Sequence, residues 1–298
     1  MNAQVHPEQG SFFDLSARTK LRITGADRLR YVNGQLSNDL RKATETNAIH
    51  ACVLSAKGKI NADVFIHTDG GDAFLVDSDH DVREQLIARL ERYVIADDVV
   101  IKDVTEQFAL FHVLGRGAVD GVQADRYGIA AVDLWVAASE HDAVMQRLRS
   151  IAPFCDDECE DVFRIERGVP RWGRELTEEI IPTEANLESS AIDYAKGCYI
   201  GQEVISRIKM SGQTNKRLCG LITTSANPLQ NDARLWTTDA DAKDVGWITS
   251  AAMSRRFGSQ IALGFVKRGF QEIDTQLAAR AVDATSVIPV QITALPFV

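Results

Sequence analysis

From about Lys216 to the end, the chain is a succession of short strand-like runs: KRLCGLITT, ARLWTT, DVGWITSAAM, IALGFVKR and SVIPVQITAL, with turn residues between them. Each run has apolar residues that need cover, and each strand edge leaves backbone donors and acceptors that need partners. Many short strands at such spacing close into a small barrel or stack as a sandwich. The stretch MSGQTNK, residues 210–216, has no apolar periodicity and precedes this change of texture. The chain therefore divides into a core over residues 1–213 and a β-barrel domain over residues 214–298.

The core reads as mixed α/β, so the fold class is α+β. ADRLRYVNG, residues 26–34, reads as a short helix closed by Asn33-Gly34. AIHACVLSA and INADVFIH read as strands joined by the tight Lys57-Gly58-Lys59 turn. In the second strand Ile60, Ala62, Val64 and Ile66 share one face, and Asn61, Asp63, Phe65 and His67 share the other. Residues 79–94 carry Val82, Leu86, Leu90 and Val94 on one helical stripe. After the strand FALFHVLG come Gly115-Arg116-Gly117 and Gly121. That outline suggests a dinucleotide turn, but the spacing is GxGxxxG and no parallel βαβ units surround it.

The composition excludes some function classes. A formal charge of −9 and a pI near 5.2 argue against broad nucleic-acid binding. No run approaches 18 apolar residues, so no membrane partner is expected. MNAQVHPEQGSFFDLS lacks the basic and apolar regions of a secretory leader, which points to the cytoplasm. The five cysteines, at 52, 155, 159, 198 and 219, are odd in number and unevenly spaced, as in a reducing compartment. Cys155 and Cys159 would share a face if helical, but two thiols alone do not complete a tetrahedral zinc site. His50, His67 and His112 lie in strand-like segments, where structural imidazoles are the default.

Three places can carry chemistry. RIERGVPRWGRELTEEIIPTEANLE, residues 164–188, gathers Arg164, Glu166, Arg167, Arg171, Trp172 and Arg174 around Gly168 and Gly173. Glu166 is either an acceptor for a flat ligand with paired N–H groups or a strand-end carboxylate paired to a neighbouring arginine. Asp63 either lines a pocket or faces water. Cys198, in YAKGCYIGQEVISR, sits between Gly197 and Gly201, which let the backbone turn and approach a ligand closely. IGQEVISRIKM then reads as a helix with Glu203 and Arg207 at i,i+4. A thiol in the first turn of that helix, near Lys196, would be favoured as thiolate. The residues leave a working thiol and an inert buried cysteine equally open.

KGCYIGQE, residues 196–203, resembles the signature of the YgfZ-type folate-binding proteins, relatives of the glycine-cleavage T-protein aminomethyltransferases. GADRLRYVNGQLSNDL, SAKGKINADV, the Arg164–Glu188 segment and the strand-rich tail fall in that family's order. The resemblance implies a T-protein-like core of α/β subdomains followed by a small barrel. It also implies tetrahydrofolate as cofactor, with Glu166 on the pterin and Asn38, Asp39, Tyr199 and Arg207 assigned to the same pocket. Chemistry falls to Cys198, Lys196 and Asp63, and Cys198 could form a one-carbon adduct, a persulfide or a transient cluster bond. A single cysteine does not hold a cluster, which normally needs about four ligands. Aminomethyltransferases carry paired acids where this chain has Ala62-Asp63, and they lack the Lys-Gly-Cys string. The expectation is therefore an accessory protein for iron–sulfur client enzymes, affecting tRNA modification indirectly. Two alternatives are a folate-dependent one-carbon transferase or demethylase acting on a small amine, and a folate-responsive interaction module.

Overall fold

The structure is a computed structural model that describes residues 7–115, 119–281 and 287–297. Arg116 and Gly117 of the glycine-rich turn lie outside the described residues. In chain order the elements begin with β1 (Phe12–Asp14), β2 (Thr19–Thr24), α1 (Arg28–Gln35), β3 (Ile49–Leu54), β4 (Ile60–Asp69) and β5 (Ala73–Ser78). They continue with α2 (Arg83–Glu91), β6 (Val100–Asp103), β7 (Phe108–Leu114), β8 (Val122–Gln123), β9 (Ala131–Ala137) and α3 (His141–Arg149). Next come α4 (Asp157–Glu166), α5 (Glu188–Ala191) and α6 (Gln202–Ser211). The last six are β10 (Lys216–Thr223), β11 (Arg234–Thr237), β12 (Asp244–Ser254), β13 (Ser259–Lys267), β14 (Gln276–Arg280) and β15 (Val287–Thr293). The chain packs as two compact units: Met1–Asp156 with Leu187–Arg207, and Asp157–Asn186 with Ile208–Val298.

The first unit holds an antiparallel sheet ordered β3-β4-β5-β2-β6 and a second sheet ordered β1-β7-β9-β8. The β3–β4 hairpin forms across the Lys-Gly-Lys turn, with Ser55 N and Lys59 O 2.9 Å apart and Gly58 at φ +72°. Ile60, Ala62, Val64 and Ile66 are fully buried, as the alternation requires. Val82, Leu86 and Leu90 are buried as the stripe requires, but α2 runs only from Arg83 to Glu91: Val82 lies in the 3-10 turn before it, and Val94, half-buried, lies beyond its end. The second sheet packs Phe12, Phe111, Val113 and Leu134 against Val144 and Leu148 of α3.

A buried charge cluster runs between the two sheets. Arg126 sends one side of its guanidinium to Asp77 on β5, at 2.7 and 2.9 Å, and another to Asp133 on β9, at 2.6–3.1 Å. Arg18 bonds Asp77 at 2.5 Å, and His112 on β7 bonds Asp133 at 2.7 Å. Burial acts to raise both carboxyls, but the facing cations outweigh it and hold both below the ordinary aspartate value. Burial likewise acts to lower Arg126, and Asp133 and Asp77 overcome it.

The second unit is a closed six-stranded barrel ordered β10-β13-β12-β11-β14-β15, with α4 beside it. Leu221, Leu235, Ile248, Val266, Leu277 and Val290 belong to its core. Closure leaves every strand paired on both sides, which removes the exposed edges that the sequence pattern posed as a problem. Strand β14 is missing from the sequence reading because QLAAR has little of the β-branched alternation by which strands are recognised.

Three further expectations need correction. Asn33-Gly34 does not close α1, which continues to Gln35, because the freed carbonyls there find partners from residues 196–200. Glu166 is the last residue of a helix rather than a strand end. Cys155 and Cys159 are disulfide-bonded, whereas Cys52, Cys198 and Cys219 carry free thiols. Among the described residues no helix is long and apolar enough to cross a membrane.

Replacing Arg126 by Met should destabilise the first unit by about 3–5 kcal/mol, since two buried carboxylates would lose the cation they share and only Asp77 would keep a second, Arg18. The depressed aspartates support wild-type stability above their ordinary value of 3.8, and that support is lost as pH falls through their native values. In the variant these carboxyls titrate higher, so acid unfolding followed by circular dichroism should begin at a higher pH than in wild type.

Candidate functional site

The last carbonyls of a helix have no partner within it and must be satisfied from outside. At the end of α1 this is done by Lys196. Its ammonium, which has three donors and no acceptor, bonds Asn33 O at 2.6 Å, Leu36 O at 2.6 Å and Asn38 O at 2.8 Å. Ile200 N donates to Gly34 O at 3.2 Å, and Asn33 Oδ1 accepts from Leu40 N at 2.9 Å. Burial pushes Lys196 down to about 8, against the opposing pull of Asp39 and Asp193. Tyr199 is buried beside it, with the Lys196 nitrogen 5.1 Å from the ring centroid. Burial pushes the Tyr199 phenol up.

Two glycines then seat the loop on the hairpin. Gly201 adopts φ +88°, and a Cβ there would lie 2.7 Å from Ser55 O. A Cβ on Gly58 would meet Val204 Cβ at 2.9 Å. Gly201 thus serves close packing of α6 on the hairpin rather than approach to a ligand. Gly197 has neither a positive φ nor a neighbour within 4 Å of a would-be Cβ, so its proposed role in a sharp turn is not needed.

The outcome for Cys198 is a free, exposed thiol on an anchored loop. It is not inert filler of the core. Nor does it lie in a first helical turn, because α6 begins four residues later, at Gln202. The effect of a helix end fades within one turn, so the expected activation by the helix start does not apply. Lys196 supports the loop with all three of its N–H groups. Glu203 and Arg207 are exposed, and no ion pair joins them among the described residues.

Asp63 and Asn38 belong to one polar cluster in the same unit. Asn38 Nδ2 donates to His50 O at 2.9 Å and to Ser190 O at 3.2 Å. His50 Nδ1 lies 3.3 Å from Ser190 Oγ, and His50 Nε2 lies 3.5 Å from Asp63 Oδ2. Its ring stacks on Phe65 at 4.6 Å, and the other neighbour of that phenyl ring is the Arg126 guanidinium at 4.2 Å. Burial acts to raise Asp63, but His50 and Arg18 outweigh it and hold the carboxyl below its ordinary value. His50, read from sequence as purely structural, is the residue that was missed. The hairpin register offered a signal: Asp63 pairs with Cys52, which puts His50 on the same face, one diagonal away.

Asp39 has a different job. It caps the 3-10 turn Leu40–Lys42 through Arg41 N and takes the Arg41 guanidinium at 2.6–3.1 Å, which draws its carboxyl down to about 2. Glu166 lies in the second unit, 3% exposed, and its Oε1 accepts from Ser254 Oγ at 2.5 Å. Nearby on α4, Arg164 bonds Glu175 at 3.0 Å and Ser250 at 2.7 Å.

Residues 3–126 match the GCVT N-terminal domain family, and residues 216–298 match the glycine cleavage T-protein C-terminal barrel domain. The chain is 30% identical over 231 residues to the tRNA-modifying protein YgfZ of Escherichia coli O157:H7, covering 70% of each chain. The chain belongs to the YgfZ-type branch of the T-protein family. It is also 26% identical over 247 residues to a mitochondrial iron-sulfur cluster assembly factor IBA57 homolog of Dictyostelium discoideum, covering 68% of this chain and 60% of that one. The chain thus spans less than two thirds of that relative's length. The aminomethyltransferase T of Bartonella henselae superposes with a TM-score of 0.85 at 16% identity, over 97% of this chain and 86% of that one. That likeness establishes the T-protein fold, with an α/β core and a closed barrel.

Lys196→Met removes three hydrogen bonds that Lys196→Arg can replace only in part, since the guanidinium cannot match three converging carbonyls. Hydrogen exchange at the Ile200 amide should speed up roughly tenfold or more in the Met variant, the worth of one or two net hydrogen bonds, and less in the Arg variant. Unchanged exchange in both would show that Lys196 does not anchor the loop.

Proposed function

We propose that this chain is a tetrahydrofolate-binding accessory protein for iron–sulfur enzymes, in which Cys198 is the reactive thiol. The observation that carries this reading is an exposed thiol on a loop that a buried lysine fastens through three hydrogen bonds. A rigid, accessible sulfur suits transient bonding to an external partner better than a mobile one would, because less conformational freedom is lost on contact. The named relatives, an iron-sulfur cluster assembly factor and a tRNA-modifying protein, support the client class. In this reading any effect on tRNA passes through client enzymes in the cytoplasm, in keeping with the net charge of −9.

Glu166 is the pterin acceptor in this reading. Its buried carboxylate suits a 2-amino-4-oxopyrimidine ring, whose paired N–H groups match two carboxylate oxygens. The remaining pocket assignments (Asn38, Asp39, Tyr199 and Arg207) carry different weight. Asn38 is tied to the His50–Asp63 cluster, Asp39 is engaged by Arg41, Tyr199 packs on Lys196, and Arg207 is exposed.

A second reading is a folate-dependent one-carbon transferase or demethylase acting on a small amine. It is favoured by Asp63, a carboxyl held low beside His50 and so kept ionised to pair with a substrate ammonium. Conversion of tetrahydrofolate to a methylene derivative with an amine donor would support it.

In a strain lacking the native protein, Cys198→Ala should fail to restore iron–sulfur enzyme activities; full recovery would remove the functional thiol. Titration of tetrahydrofolate should give saturable binding by wild type and at least a tenfold loss in Glu166→Ala, as expected when a charge-assisted contact is removed. Equal binding by both would remove Glu166 from the pocket, and no saturable binding by wild type would remove the folate reading.

A further inference from the structure

Two consecutive residues after α1 bridge the same pair of distant elements. Ser37 Oγ donates to Ala191 O of α5 at 2.5 Å and accepts from Cys52 N of β3 at 2.8 Å. Asn38 uses both hydrogens of its amide, giving one to His50 O of β3 and one to Ser190 O of α5. The two bridges hold residues 50 and 190 against each other across 140 positions of chain. Side chains meet there as well: His50 Nδ1 lies 3.3 Å from Ser190 Oγ, and His50 Nε2 lies 3.5 Å from Asp63 Oδ2. A carboxylate, an imidazole and an exposed hydroxyl thus follow one another.

The proton count gives that series a direction. Burial opposes ionisation of Asp63, but His50 and Arg18 outweigh it, so its oxygens are acceptors only. A bare His50 Nε2 facing them would set one lone pair against another and leave a buried nitrogen without a partner. The neutral imidazole therefore carries its hydrogen on Nε2, toward Asp63, and its lone pair on Nδ1, toward Ser190. The Ser190 O–H is the donor in that contact. The ring has little freedom to turn away: it stacks on Phe65 at 4.6 Å and 3°, and the Arg126 guanidinium lies 4.2 Å from the same phenyl ring. Acid, base and hydroxyl in this order are the parts by which a serine is made nucleophilic.

We propose that Ser190 is a nucleophile activated by His50 and Asp63, and that it takes the acyl group of a carboxylic ester. Ser190 Oγ attacks the ester carbonyl while its proton passes to His50 Nδ1, and Asp63 steadies the imidazolium that forms. The carbonyl C–O bond to the alcohol breaks, and His50 returns the proton to the leaving alcohol. Water then attacks the acyl-serine by the same route, releasing the carboxylic acid and restoring Ser190. The sum is ester plus water to acid plus alcohol, with no change of oxidation state. The gaps of 3.3 and 3.5 Å are longer than a closed proton-transfer contact, the looseness usual before a substrate is seated. Here Asp63 serves the imidazole rather than a substrate ammonium, and nothing in the proposal depends on folate.

The test is treatment of the full chain with diisopropyl fluorophosphate, read by mass spectrometry of its peptides, with a thermal melt for each variant. Wild type should gain the diisopropylphosphoryl group at Ser190. Ser190→Ala should abolish that label, and Ser189→Ala, which changes the exposed neighbour on the same short helix, should leave it unchanged. His50→Gln and Asp63→Asn should each slow labelling about 100-fold or more, the scale of a positioned general base and its orienting partner. With p-nitrophenyl acetate, wild type should release a burst of about one equivalent of nitrophenolate, and Ser190→Ala should release none. Absence of the label or of the burst in wild type, labelling that survives at an unchanged rate in Ser190→Ala, or equal rates in wild type and folded His50→Gln would overturn the proposal. Ser190 is exposed, so its Ala variant decides the question even where a variant of His50 or Asp63 fails to fold. Tetrahydrofolate titration of the same proteins reads the folate proposal separately.

Discussion

Arg126 is the cation on which the first unit depends. It is buried between a carboxylate of one sheet, Asp77, and a carboxylate of the other, Asp133, and its fork geometry meets both. It is the cation the two acids share, with Arg18 adding a second charge on Asp77, and the guanidinium could not be buried without them. Consequences reach the candidate site. The outer face of the same guanidinium lies on Phe65, and Phe65 stacks on His50, which approaches Asp63. The position of the hairpin acid is thus tied to the same cluster that joins the sheets.

Lys196 plays the corresponding role for the thiol loop. In the string KGCYIGQE the lysine looks like a partner for the neighbouring cysteine, since only Gly197 separates them. The geometry assigns it elsewhere: a buried ammonium gathers three carbonyls at the end of α1 and so fixes the loop from below. Gly201 and Gly58 let α6 settle onto the hairpin. Cys198 is left exposed between two fixed points, Lys196 and Ile200, each bonded to α1 or the turn after it. The physical support for the proposed thiol role therefore shifts from electrostatic activation at a helix start to exposure on an anchored loop.

Much of the fold was legible because local patterns repeat within an element. The β3–β4 hairpin, the buried face of β4, the α2 stripe and the strand-rich barrel all follow from period-two or period-3.6 burial. Strand β14 and the full length of α1 were not legible, because β14 has weak strand propensity and α1 ends where distant residues allow it to. The disulfide at Cys155 and Cys159 was also missed, since an odd, uneven set of cysteines gives no pairing pattern.

By itself the sequence determined the class of the fold, the division into an α/β core and a strand-rich barrel, and the residues in which chemistry was to be sought. Those depend on local periodicity and on a specific motif, both carried by the order of residues. Tertiary structure decided what each candidate does: Lys196 anchors, Asp39 caps, Glu166 is held by Ser254, and His50 joins Asp63. The reason is that a charged or polar side chain takes its role from the partners that satisfy it once buried, and those partners lie up to 163 residues away along the chain.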